Sequence, residues 1–238
     1  MFNVPKVLIF DLSAEYGQFR KFFTNMSPLS FSIPPRTVMT GIIGAIIGID
    51  KKKNPELFPP GHSFVALRIL STINKTVITT NYIKTEQIKY FSRFKEHKPT
   101  VVEYVKNPRY RIYFYHTNKK IYECLKNNLI NHRSFYTVNL GISSCLANFT
   151  FIGEFNTDLI TANKATEIIS ILPVDAVKEL ISIENLRIQR TTMPVYMNNK
   201  REVKMYREYF FELDGEGLNA KVDYYIRIQE HRENIVGM

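Results

Sequence analysis

Cysteine is scarce in this chain: only Cys124 and Cys145 occur among its 238 residues. Two thiols make no disulfide framework, and neither has a second Cys or His two to four residues away, so a zinc motif is excluded as well. Long apolar runs are also missing. The longest, Val38 to Ile49, is broken by Thr40 and three glycines and covers about half of the ~20 residues a bilayer needs, so it reads as a buried helix. Met1 to Ser13 holds one Lys, an apolar run already containing Asp11, and no small-residue cleavage site, which argues against a secretory leader. A cytoplasmic protein with no membrane association is the expectation. The chain has no repeat of fixed period, no low-complexity tract, no Walker loop, no Rossmann fingerprint, no HExxH and no paired-carboxylate metal motif, so no cofactor is expected.

What is present is a globular composition, 45% hydrophobic, with a formal charge of +10. The length suits one large domain or two small ones. The positive excess is local. Residues 51–120 hold 15 basic and 4 acidic groups, whereas residues 121–238 hold 13 and 15. Within the basic part, Lys89, Arg93, Lys95, Lys98, Lys106, Arg109 and Arg111 alternate with Tyr90, Phe91, Phe94, Tyr104, Tyr110, Tyr113 and Tyr115. Cations neutralise phosphates and aromatic faces stack on unpaired bases, so the mixture suits single-stranded nucleic acid. The blander reading is a solvated basic surface with the aromatics turned into the core.

Lys6–Ser13 reads as a first strand, Ala14–Pro35 as a long loop, and Val38–Ile49 as a helix capped by Thr37. Gly41, Gly44 and Gly48 each cost that helix roughly 1 kcal/mol, which implies close approach by another element, most simply a sheet. Ser63–Ile73, Arg109–Tyr115 and Ala147–Phe155 read as strands, and Asn118–Asn131 as a helix capped by Asn118. The resulting order, β, α, β, β, α, β, is the ferredoxin-like split βαβ of an α+β protein, with residues 74–108 inserted between the second and third strands. Residues 156–238 read as a β-rich C-terminal region, with strands near 165–172, 186–196, 203–213 and 222–228 and one helix opened by Pro173 and Asp175.

The most distinctive pattern is Gly17-Gln-Phe-Arg20, then Phe31-Ser-Ile-Pro-Pro-Arg36-Thr37, then Gly41-Ile-Ile-Gly44-Ala45-Ile-Ile-Gly48. It sets Arg20 and Arg36 on the loop entering a glycine-spaced helix, whose free N–H groups would attract phosphate beside an arginine fork. Alternatively, Arg20 pairs with Asp11 or Glu15 and Pro-Pro-Arg-Thr is only a capping turn. Gly141, Ser143 and Ser144 would let a backbone come near and offer hydroxyls, or form a tight turn before a strand.

These motifs, with Asn107-Pro-Arg-Tyr-Arg-Ile and Thr137-Val-Asn-Leu-Gly141-Ile-Ser-Ser144 in the same order, resemble the CRISPR-associated Cas-five family of the RAMP superfamily over residues 6–155. The resemblance is greatest to type I-B members. It implies an RNA-recognition-motif-like domain with a β-hairpin thumb (residues 74–108), followed by a smaller, variable C-terminal part. It also implies a role in antiviral defence as a subunit of the type I interference complex, Cascade, holding the 5′ handle of the CRISPR RNA, capping the filament of backbone subunits and contacting the large subunit. Target DNA would then be a partner within the complex. Carried over by position, Arg20, Arg36 and Thr37 would face the handle and Gly141 to Ser144 would form the loop beside the RNA backbone. Arg109 and Tyr110 could reach the handle from the third strand or face the helices instead. Arg93, Lys95 and Lys98 of the thumb would serve assembly.

One branch of the family, in type I-C systems, cuts precursor RNA without metal. Such chemistry needs a base, an acid and a cation near the phosphate. Tyr113, His116 and Lys119 are the first candidates, although His116 falls on the face of a regular strand opposite Tyr113. Tyr16 and Lys21 are a weaker pair, and His62, His97, His132 and His231 show no partner in sequence. The expectation is a non-catalytic RNA-binding subunit, with a metal-independent endoribonuclease as the alternative.

Overall fold

The structure is a computed structural model that describes residues 4–22, 24, 28–83, 97–162, 164–181 and 185–238. The first strand, β1 (Lys6–Ala14), is followed by the short β2 (Tyr16–Gly17), the helices α1 (Arg36–Ile47) and α2 (Asn54–Leu57), and β3 (Ser63–Ile69). Next come β4 (Asn74–Ile83), β5 (His97–Lys106), β6 (Arg109–His116), α3 (Lys119–Ile130) and β7 (Ala147–Thr161). The central sheet runs β7-β1-β6-β3, every neighbouring pair antiparallel. With α1 and α3 in the two crossovers, this is the ferredoxin-like α+β fold.

The two-residue period of the strands sorts the core. Leu8, Phe10, Leu12, Ile112, Phe114, Val65 and Leu67 share one cluster with Met39, Ile42, Ile43 and Ile46 of α1 and Leu125 and Leu129 of α3. The helical residues sit at three- and four-residue spacing, which supplies the apolar stripe each helix needs. Asn118 caps α3 as expected, its side-chain oxygen accepting from the Lys120 N–H. Thr37 does not cap α1. Pro35 occupies the cap position without a side-chain bond, the helix opens at Arg36, and it closes at Gly48 in the left-handed region (φ 79°).

The close approach implied by the glycines is made by a side chain and not by a sheet. A Cβ on Gly44 would lie 2.0 Å from Asn54 Nδ2, which donates to the Thr40 carbonyl at 3.0 Å. Gly41 faces open space.

The other sheet face carries Val7, Ile9, Phe64, Ala66 and Tyr113, and it is closed by Ile226, Ile228 and Ile235. These come from β14 (Tyr224–Ile228) and β15 (Glu233–Ile235), which extend the same sheet through the far half of β7. The boundary expected at residue 155 therefore falls inside a continuous strand. Between β7 and β14 lie β8 (Thr166–Ile168), β9 (Leu172–Pro173), β10 (Val177–Leu180), β11 (Ile188–Met197), β12 (Val203–Glu212) and β13 (Leu218–Val222), forming the sheets β10-β13-β8 and β11-β12-β9. The helix expected after Pro173 is a single 3-10 turn at Val174–Ala176, because Val177 and Leu180 pack beside Ile168, Leu218 and Val222 in a strand.

The inserted segment is a hairpin. β4 and β5 pair from Asn74↔Lys106 to Ile83↔His97, and β2 adds to the foot of β5. Arg93 and Lys95 of the expected assembly surface lie outside the described residues, and Lys98 is exposed near the end of the paired strands. Among the described residues no helix is long and apolar enough to cross a membrane.

Candidate nucleic-acid interface

The arginine expected to grip phosphate is in the interior. Arg36 is 1% exposed, and its guanidinium donates to the carbonyls of Phe58 (3.1 Å), Val195 (3.3 Å) and Ser63 (3.0 Å) and to Ser63 Oγ (2.6 Å). Burial pulls its pKa down to about 10, without a carboxylate in the hydrogen-bonding set. Arg36 therefore ties α1, the loop before β3, and β11 together, and offers no fork to a ligand.

Above it lies a groove of about 640 Å³, within the size range of small-molecule and nucleotide sites. It is lined by Thr37, Gly41 and Ala45 of α1, by Val195–Met197 of β11, and by Tyr136 and Gly141. Tyr136 is 47% exposed and stacks edge-on against Phe135 with centroids 4.8 Å apart. Both are held by backbone bonds from their N–H groups to the Ile46 and Ala45 carbonyls, which satisfies the C-terminal end of α1. The aromatic pair is therefore fixed to the helix that helps line the groove.

The charge of the groove is positive because its cations are unpaired. Lys51 and Arg201 line it, Lys52, Lys53 and Lys200 flank them in sequence, and none forms an ion pair among the described residues. Among the described residues, Asp50 is the one carboxylate in the lining and accepts from the Lys52 backbone N–H, and Glu56 nearby accepts from Asn199, so the cations outnumber the acids at the groove. The β-rich region is different: Lys178, Arg187, Arg190, Lys204 and Arg207 each meet a carboxylate.

Several expected residues stand elsewhere. Arg20 is exposed but outside the groove lining, and its Nη2 donates to the Thr24 carbonyl at 3.1 Å. Tyr110 is buried with its hydroxyl donating to the Ser32 carbonyl, so it faces the helices and not a ligand. Arg109 is exposed, on a different depression. Gly141 lines the groove, yet its glycine serves the protein itself: φ is +97° and a Cβ would stand 1.8 Å from the Gln18 carbonyl oxygen. Ser143 and Ser144 are exposed on the same loop. Tyr104 is buried as well, and Arg111 is paired with Asp11 at 2.8 Å. The described part of the basic aromatic segment thus turns Tyr104, Tyr110 and Tyr113 inward, as the blander reading held.

The candidate catalytic groups are not assembled. Tyr113 is buried on the β14–β15 side and donates to Glu233 Oε2 at 2.8 Å. His116 is buried on the helix side, where Nε2 meets the Leu57 carbonyl at 2.7 Å and Nδ1 accepts the Asn118 N–H at 2.8 Å. That pattern assigns the neutral ring with its proton on Nε2. Lys119 is exposed at the start of α3. Tyr16 packs edge-on against Tyr104, while the Lys21 ammonium lies 5.8 Å from the Phe31 ring centre. His132 and His231 stack on Phe149 and Phe155, His62 meets Thr117, and His97 is exposed. No group of three metal-ligating side chains occurs among the described residues.

The fold and this groove define a ferredoxin-like domain with a hairpin thumb and a positively charged helix-side cleft. The fold is shared with a CRISPR protein from Archaeoglobus fulgidus, known from its crystal structure, at 12% identity and a TM-score of 0.59, over 98% of this chain and 99% of that one. A CRISPR-associated protein (13% identity, TM-score 0.42, 93% and 95% coverage) and a chain of a CRISPR RNA-guided surveillance complex (10%, 0.48, 88% and 91%) align less closely and add nothing to the fold argument. No family model and no curated protein matches the sequence.

Two outcomes follow from these contacts. Arg36→Met should destabilise the chain by roughly 3 to 5 kcal/mol in urea titrations, because three buried carbonyls lose their donor and cannot be deleted with it. Burial holds the His116 pKa below 6.5, opposed by the bond to Leu57, with His62 and Arg36 lowering it further. A base with a depressed folded pKa contributes stability that is complete above about pH 6.5 and lost as the pH falls through the folded value. The melting temperature should therefore drop more steeply below pH 6.5 in the parent than in His116→Asn, measured side by side.

Proposed function

We propose that this chain is a non-catalytic RNA-binding subunit of a CRISPR interference complex, holding single-stranded guide RNA in the groove along α1. The observation that carries this reading is the groove itself: a fixed, half-exposed Tyr136 shares its lining with unpaired Lys51 and Arg201 and with the small residues Gly41 and Ala45. Single-stranded RNA is recognised by stacking its unpaired bases on aromatic rings while cations take its phosphates. The shared fold supports the reading, since its solved counterpart is a CRISPR protein. So does the coverage of both faces of the central sheet, which keeps a strand off the sheet itself.

The finer assignment follows the sequence motifs. It makes the chain a Cas-five-type subunit of a type I complex, closest to type I-B, with the 5′ handle of the CRISPR RNA in the groove. In this assignment the thumb meets the backbone subunit, another face meets the large subunit, and target DNA is encountered only within the assembly. Self-processing of the precursor gains no support from Tyr113 and His116, which lie on opposite sheet faces and are each engaged internally.

Binding titrations with labelled single-stranded RNA test this reading. Tyr136→Ala should weaken binding about ten- to a hundredfold, the value of one stacked base, and repeat RNA incubated with the protein in EDTA should remain uncut. Unchanged affinity in Tyr136→Ala would remove the groove from the account, and cleavage would restore the endoribonuclease.

A further inference from the structure

A second polar surface lies at the foot of the thumb. Two open depressions of about 520 and 530 Å³ meet at Asn107, the corner residue between β5 and β6, whose φ is +49°. Arg109 and Asn148 line the first, and Asn74 and Lys106 the second. Arg109 and Lys106 are exposed and form no ion pair among the described residues. The lining holds one carboxylate, Glu15, at the end beside Asn107. A row of amides with two uncommitted cations and no exposed aromatic ring has the chemistry of a site for sugar and phosphate, not for bases.

The position of these depressions ties them to the first groove. Gly141 lines that groove and Leu146 lines the depression beside Arg109. The loop between them is closed at its foot, where the Leu140 N–H donates to the Cys145 carbonyl at 2.9 Å and Asn139 bridges to Leu146. Ser143 and Ser144 are exposed on its crest. One tight loop therefore contributes to both sites, Gly141 at its start to the groove and Leu146 at its end to the depression.

We propose that the depressions at the thumb's foot bind the sugar–phosphate backbone of the same RNA strand after it crosses the 141–146 loop, with Arg109 and Lys106 each neutralising one phosphate. The proposal rests on the groove being an RNA site. An acidic protein segment is the rival occupant, but it would have no reason to share a loop with the groove.

The test uses the full chain and two uridine oligomers, about four and about twelve nucleotides long, both within the range of about 4 to 16 nucleotides that single-strand binding domains occupy. Affinity is measured against salt for the parent, for Lys106→Gln with Arg109→Gln, and for Lys106→Gln alone. The plot of log K against log salt for the long oligomer should become shallower by about 1.4 in the double variant and about 0.7 in the single one, at about 0.7 per phosphate on a single strand. The short oligomer should show no change. An unchanged slope with the long oligomer overturns the proposal while leaving the groove intact, and so does an equal change with both lengths. Failure of the parent to bind either oligomer overturns the groove reading and this one with it.

Discussion

The guanidinium of Arg36 organises the structure around it. From the start of α1, a single buried cation bonds the Phe58 carbonyl before β3, the Ser63 carbonyl at the first residue of β3, and the Val195 carbonyl of β11. A charge in the interior is tolerated only when its donors are fully engaged, and engaging them here requires three distant segments to converge. Of these, α1 and β11 line the groove. The residue whose surroundings look in sequence like a ligand grip instead builds the place where a ligand can lie.

The sheet explains why the site sits beside a helix. An RNA-recognition-motif-like sheet would offer its open face to bases, but here Ile226, Ile228 and Ile235 close that face and bury Tyr113 beneath them. Glu233 completes the cover through Tyr113 and an ion pair with Arg68 at 2.7 Å. With both faces occupied, the uncommitted cations at the groove and at the thumb's foot mark where an anionic partner gains most. In the β-rich region Lys178, Arg187, Arg190 and Arg207 are paired with carboxylates instead, whereas Arg201, from the same region, reaches the groove unpaired.

Much of the architecture was legible in the sequence because it rests on local signals. The β, α, β, β, α, β order of the main elements, the Asn118 cap and the place of the insertion follow from period, capping chemistry and β-prone runs, whereas the hairpin form of the insertion came from the family resemblance and the short β2 and α2 carried no signal. The site was harder to read. Arg36 looks the same in sequence whether it faces solvent or three carbonyls, and the difference is made by Val195, which lies 159 positions away. Arg201 enters the groove from the turn between β11 and β12, for which no neighbouring motif speaks. Tyr136 directly precedes the Thr137–Ser144 motif and Lys51–Lys53 is a visible run, yet only the fold joins them across α1. The helix expected after Pro173 failed for the same reason, because strand pairing with β13 overrides the local pattern.

The most direct test of an RNA strand along α1 is photo-crosslinking of single-stranded RNA to the intact chain, with the modified peptides identified by mass spectrometry. The account predicts adducts on the peptides carrying Tyr136 and Lys51–Lys53. Adducts confined to the paired cations of β10 to β13, with the α1 groove unmodified, would contradict it.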